Sequence, residues 1–118
     1  MNKLNIRRFP PLEYAASEAV NTLCTNLSFS GENVKRIMFT SCHAAEGKSF
    51  MAMNVMRSMA RLGKRVVLID ADLRRSMISF RYGIRYETEK RGLAHYLAGM
   101  ATENEIVYAT NTNGAYMV

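Results

Sequence analysis

The chain has 118 residues, of which 48% are hydrophobic and 22% charged, so it suits one globular domain with a single core rather than a disordered segment. Its formal charge is +6, but the basic pairs Arg7-Arg8, Lys35-Arg36, Lys64-Arg65, Arg74-Arg75 and Lys90-Arg91 are dispersed and do not interleave with aromatics, which argues against nucleic acid as a partner. Cys24 and Cys42 are too few and too scattered for a disulfide framework or a zinc site, no apolar leader follows the first basic residues, and no apolar run reaches the about 18 residues of a membrane span, so a cytoplasmic protein is expected.

Residues 1–11 read as an extended arm ending in Pro10-Pro11, which blocks a helix there. From Leu12 to about Leu27, Ala16, Val20, Leu23 and Leu27 fall at helical spacing. Ser28 to Asn33 is a polar turn, and Val34 to Ser41 reads as a buried strand leading into a small, polar loop at 42–47. Lys48 to Leu62 is the second helix, with Met51, Val55, Met59 and Leu62 as its apolar stripe and Asn54, Arg57, Ser58 and Arg61 opposite. Gly63 stands where a helix cap is needed.

Arg65 to Asp70 is an apolar run bounded by charges, the pattern of a parallel strand covered on both faces. Residues 72–91 read as irregular with one short helix, 92–98 and 103–109 as two short helices, and 114–118 as the opening of another strand. Strand, loop, helix and strand make a right-handed βαβ unit. The expected fold is therefore α/β, a parallel sheet with flanking helices. A bare last strand at Val118 gives the expectation of a domain whose second half is missing or supplied by another chain.

Gly47-Lys48-Ser49 sits between the expected strand and helix, the context in which this triplet cradles phosphates. Backbone N–H groups at a helix start point toward an anion, and the helix dipole favours negative charge there. Lys48 is placed to reach the β- and γ-phosphates of ATP, Ser49 to bind Mg²⁺, and the stretch Ala44, Ala45, Glu46, Gly47, Lys48, Ser49 and Phe50 to hold the nucleotide. Where the usual pattern opens on glycine, this chain has Cys42.

A second motif, Val66 to Arg75, ends a strand in Asp70-Ala71-Asp72. Ligands of doubly wound sheets bind beyond the carboxyl ends of the strands. Two carboxylates there suit Mg²⁺, and either could take a proton from an attacking hydroxyl. Lys48, Asp70 and Asp72 are thus the catalytic candidates, and Ser49, Asp70 and Asp72 the metal candidates.

Thr40-Ser41 followed by Glu46-Gly47-Lys48-Ser49, then Ile69-Asp70-Ala71-Asp72-Leu73-Arg74-Arg75, Gly92-Leu93-x-x-Tyr96-Leu97-x-Gly99 and Tyr116-Met117-Val118 together resemble the bacterial tyrosine kinases of capsule and exopolysaccharide synthesis. The first two segments correspond to that family's Walker A and Walker A′ motifs. The resemblance implies transfer of the γ-phosphoryl group of ATP to protein tyrosine. It also implies Mg²⁺ as cofactor and activation by a transmembrane adaptor of the polysaccharide co-polymerase type at the inner face of the membrane. The chain departs from the family at Ala44-Ala45, where Pro-Gly is usual, and at Ser76, where proline is usual. The family's Glu-x-x-Arg-x-x-Arg helix appears as Glu18-x-x-Asn21-x-x-Cys24, so self-association stays open.

Walker B and the tyrosine-rich tail would lie beyond Val118, and the six tyrosines present are dispersed. Two alternatives follow: a partitioning-type ATPase switch, in which His43 stands where those proteins carry a signature lysine, or a catalytically inert fragment.

Overall fold

The computed structural model describes residues 1–40, 47–74 and 76–118. The fold is built around one helix buried from two sides. α1 spans Tyr14–Ser28 and α2 spans Lys48–Arg61. Met51, Val55 and Met59 of α2 face α1, where Val55 meets the buried Val20 and Cys24. A second row, Met53, Met56 and Ala60, packs on the sheet. The stripe expected from periodicity is only the α1-facing half of this helix, and Leu62 at its end is exposed. Both faces are buried because Met and Ala fill the row toward the sheet. Asn54, expected on a solvated face, is buried, and its Nδ2 donates to the Phe50 carbonyl at 2.8 Å. That bond satisfies the amide within the helix itself.

Gly63 caps α2 as expected. Its φ is +84°, its N–H donates to the Ala60 carbonyl at 3.0 Å, and Lys64 N–H reaches the Met59 carbonyl at 3.2 Å. This pair of bonds is a Schellman cap, which needs a left-handed residue after the last helical one.

The chain then enters β2 (Val66–Leu68), and the remaining strands are β1 (Asn2–Ile6), β3 (Ile84–Tyr86), β4 (Tyr108–Ala109) and β5 (Ala115–Met117). They form one five-stranded sheet in the order β2-β5-β4-β1-β3. β2 pairs parallel with β5 and β1 parallel with β4, while β4–β5 and β1–β3 are antiparallel. The sheet is thus mixed. β1 lies within the segment read as an extended arm; Leu4 and Ile6 are buried and alternate with exposed Lys3 and Asn5, the period of a strand with one covered face. Asn111 prolongs the β1 edge with its side-chain amide. It accepts from Ile6 N–H at 3.0 Å and donates to the Ile6 carbonyl at 3.2 Å.

The strand expected at 34–41 does not form over its described part. Residues 34–40 carry no strand pairing, and Val34, Ile37 and Met38 are exposed. β2 ends the strand order with β5 as its sole partner among the described residues, and residues 34–40 do not pair with its other edge. Without cross-strand bonds, apolar composition does not hold a strand in water.

The short helices are α3 (Ile78–Arg81), α4 (Leu93–Leu97) and α5 (Glu103–Ile106). The helix expected to run to Ala109 stops at Ile106, because Val107 turns to extended backbone and Tyr108 enters β4. At the start of α5, Thr102 N–H donates to Glu105 Oε2 at 2.7 Å, closing a capping box and drawing the Glu105 carboxyl below its usual pKa. No described helix is long and apolar enough to cross a membrane.

Candidate nucleotide site

Gly47 stands immediately before α2 with φ +82° and ψ 13°, and its carbonyl accepts the first helical bond from Met51 N–H at 2.9 Å. A left-handed residue at this point turns the chain into the helix and strongly favours glycine. Lys48 and Ser49 follow in the first turn, Lys48 exposed and Ser49 half-buried. Phe50, also among the expected nucleotide contacts, is partly exposed beside them. Ala44, Ala45 and Glu46, together with Ser41, Cys42 and His43, lie outside the described residues, as does Arg75.

Asp70 and Asp72 emerge at the carboxyl end of β2, where the sequence put them. Val118 N–H donates to Leu68 and Asp70 N–H to Val118, so β5 fixes the point at which the strand releases the chain. The two carboxylates then organise the turn. Asp70 Oδ1 accepts from Asp72 N–H at 3.1 Å, and Asp72 Oδ1 accepts from Arg74 N–H at 3.3 Å. The Ser76 hydroxyl donates to Asp70 Oδ2. Ser76 stands where the resembled family usually has proline, and it supplies a hydrogen bond that proline cannot.

Both aspartates line a cavity of about 230 Å³. The same cavity is lined by Lys90, Arg91, Gly92, Leu93 and His95, and by Tyr86 and Tyr108. Tyr108 anchors part of this lining. Its buried hydroxyl accepts Arg91 N–H at 2.8 Å and lies 3.3 Å from the Glu89 carbonyl, to which it donates. The structure therefore unites Asp70 with Asp72, and separately places Gly47, Lys48 and Ser49 at the head of α2. Among the described residues that line the carboxylate cavity, neither Lys48 nor Ser49 appears.

In the sequence Lys90-Arg91 is one of several dispersed basic pairs, and the tyrosines are dispersed as well. Lys90 and Tyr86 instead face the cavity together, the ammonium 5.3 Å from the Tyr86 ring centre. In the sequence Gly92-Leu93 marks only the start of a short helix and says nothing about the cavity it borders.

Asp70 and Asp72 offer oxygen donors only, which suits Mg²⁺ rather than a softer metal, while Ser49 stands apart from them at the head of α2. The arrangement is that of an α/β nucleotide-binding protein: a left-handed glycine and a lysine at a helix start, and acidic residues at the end of the next strand.

Comparison with known proteins agrees. Residues 37–112 match the CobQ/CobB/MinD/ParA nucleotide binding domain family, and the chain belongs to it. Among curated proteins it is 38% identical over 104 residues to Tyrosine-protein kinase CpsD of Streptococcus pneumoniae, covering 87% of this chain and 44% of that protein. It is 36% identical over 94 residues to Tyrosine-protein kinase CpsD of Streptococcus agalactiae, covering 80% of this chain and 40% of that protein. Tyrosine-protein kinase YwqD of Bacillus subtilis is 34% identical over 97 residues, again 80% of this chain and 40% of the relative. The chain thus spans less than half the length of these relatives.

Proposed function

We propose that this chain is the ATP-binding portion of a bacterial protein-tyrosine kinase that regulates capsular or exopolysaccharide synthesis. The observation that carries the reading is the left-handed Gly47 at the head of α2, with Lys48 and Ser49 in the first helical turn. The likeness to three kinases of this kind supports it. The partners that fit are a transmembrane adaptor and tyrosine-bearing proteins, with work at the inner face of the membrane.

In this reading Lys48 stabilises the transferring phosphate, and backbone N–H groups at the head of α2 hold the phosphate oxygens. The tyrosyl oxygen forms a bond to the γ-phosphorus as the bond to the β-bridging oxygen breaks and ADP leaves. Asp72 accepts the tyrosyl proton, and Asp70, already fixed by Ser76 and Asp72 N–H, keeps that turn in place. Mg²⁺, held by Ser49, Asp70 and Asp72, would neutralise charge on the phosphates.

The test is incubation with γ-labelled ATP and a tyrosine-containing acceptor, comparing the unaltered sequence with Lys48→Met in the same context. Labelled phosphotyrosine is expected only with Lys48, and labelling that survives in Lys48→Met sinks the assignment. A second reading is favoured by the matched family itself, which includes MinD and ParA: an ATPase switch without phosphoryl transfer to protein. ATP turnover with no phosphotyrosine would select it. The unpaired run at residues 34–40 favours weak nucleotide binding by these 118 residues alone. Titration with labelled Mg·ADP checks that, and micromolar affinity would overturn it.

A further inference from the structure

A cavity of about 550 Å³ opens between α1 and α2, away from the head of α2 and the acidic turn. Arg57 and Arg61 line it from α2, one helical turn apart, with Ser58 between them. Leu12, Val20 and Ser17 line it from the other side. The Arg57 guanidinium lies over the Phe9 ring, 3.6 Å from its centre, which holds it in place without neutralising it. Its one hydrogen bond among the described residues is a long one, 3.5 Å to Asn54 Oδ1. Among the described residues neither arginine forms an ion pair; Arg91–Glu89 at 3.8 Å is elsewhere. Burial first, and the Arg61 charge second, pull the Arg57 pKa below its usual value.

Two arginines lining one cavity with no carboxylate among its lining residues favour an anion, since each guanidinium carries five donors and planar geometry matched to phosphate oxygens. The cavity size falls within the roughly 300–1,000 Å³ of small-ligand sites. Leu12 and Val20 add an apolar wall that a bare ion would leave uncovered. We propose that this cavity binds a phosphate monoester bearing an apolar or aryl group, with Arg57 and Arg61 on the phosphate and Leu12 and Val20 on the organic part.

This inference does not rest on the nucleotide reading, and the test keeps the two apart. Phenyl phosphate, inorganic phosphate and phenol are titrated by calorimetry into the 118-residue chain carrying Lys48→Ala, which removes the phosphate-facing cation at the head of α2. Phenyl phosphate is expected to bind more tightly than either fragment of it. Arg61→Gln is expected to weaken that binding by about tenfold or more, the effect of one charge-assisted contact. Arg61 is exposed, so this variant keeps its fold; Arg57→Gln, which also loses the Phe9 contact, should weaken binding at least as much. Unchanged affinity in Arg61→Gln, no binding of phenyl phosphate, or equal binding of inorganic phosphate each overturns the proposal. A phosphotyrosine peptide then identifies the source: binding as tight as phenyl phosphate assigns a phosphorylated protein, and exclusion of the peptide assigns a free small molecule.

Discussion

Tyr108 shows how much one side chain can organise here. Its ring packs edge-on against Tyr86 at 4.8 Å between centres, and its hydroxyl ties residues 89–91 to the sheet. That segment forms the wall facing Asp70 and Asp72. Tyr108→Phe keeps the ring and deletes both hydrogen bonds, leaving Arg91 N–H without its acceptor. The expected cost is about 1–3 kcal/mol, the penalty for stranding a partly buried donor. Amide exchange should accelerate at Arg91 while that of Met53 changes only with global stability. If Arg91 exchange is unaltered in the variant, the hydroxyl does not hold the wall. Nothing in the sequence marked Tyr108 for this role, because it depends on two backbone groups, 17 and 19 residues away, finding one hydroxyl.

Among elements, α2 was read with its ends nearly right and its faces half right. The 3.6-residue period revealed Met51, Val55 and Met59, but a helix covered on two sides carries no single stripe, so Met53, Met56 and Ala60 were not distinguished. The distinction has an energetic consequence. Met53 is fully buried against the sheet, whereas Met51 is only partly covered beside α1. Met53→Ala should cost about 2–5 kcal/mol and Met51→Ala distinctly less. Urea unfolding of the two variants decides; a larger loss at Met51 would mean that the α1 contact dominates. β5 and the Gly63 cap were legible because each has a local signature. β1 and β3 were not, since β1 is hidden in a run that leads to Pro10-Pro11 and β3 lies inside the polar, basic stretch 72–91. Of the candidate nucleotide site, Asp70 and Asp72 were legible as the end of an apolar run. The cation-bearing wall opposite was not, because it is made by tertiary pairing through Tyr108.

For the whole molecule, the decisive quantity is exposed surface. The chain presents 8593 Å² to solvent. A sealed monomer of 13.4 kDa is expected to show only ~6,500 Å² from the size scaling of folded proteins. Part of the excess is apolar: Val34, Ile37 and Met38 stand outside the sheet, and Val67 and Ile69, in and just after β2, are about half exposed at 50% and 56%. Read as sequence, these two runs are buried strands; in the structure their described residues are surface, because among the described residues β2 has a partner on one side only and residues 34–40 have none. Surface of this kind binds hydrophobic dyes and promotes association. The chain should therefore enhance the fluorescence of anilinonaphthalene sulfonate in native buffer, with no denaturant present. Val67→Lys and Ile37→Lys should each reduce that signal, while shifting stability by no more than about 0.5 kcal/mol, as befits exposed positions. Were either substitution to unfold the chain, that residue would have to be core, and the strand expected at 34–41 would form in solution after all. Dye binding that persists undiminished in the double variant would place the sticky surface elsewhere, on the exposed residues of α1 or α4. Loss of the signal in Val67→Lys alone, with an unchanged urea midpoint, would fix it on β2, beside the turn that carries Asp70 and Asp72.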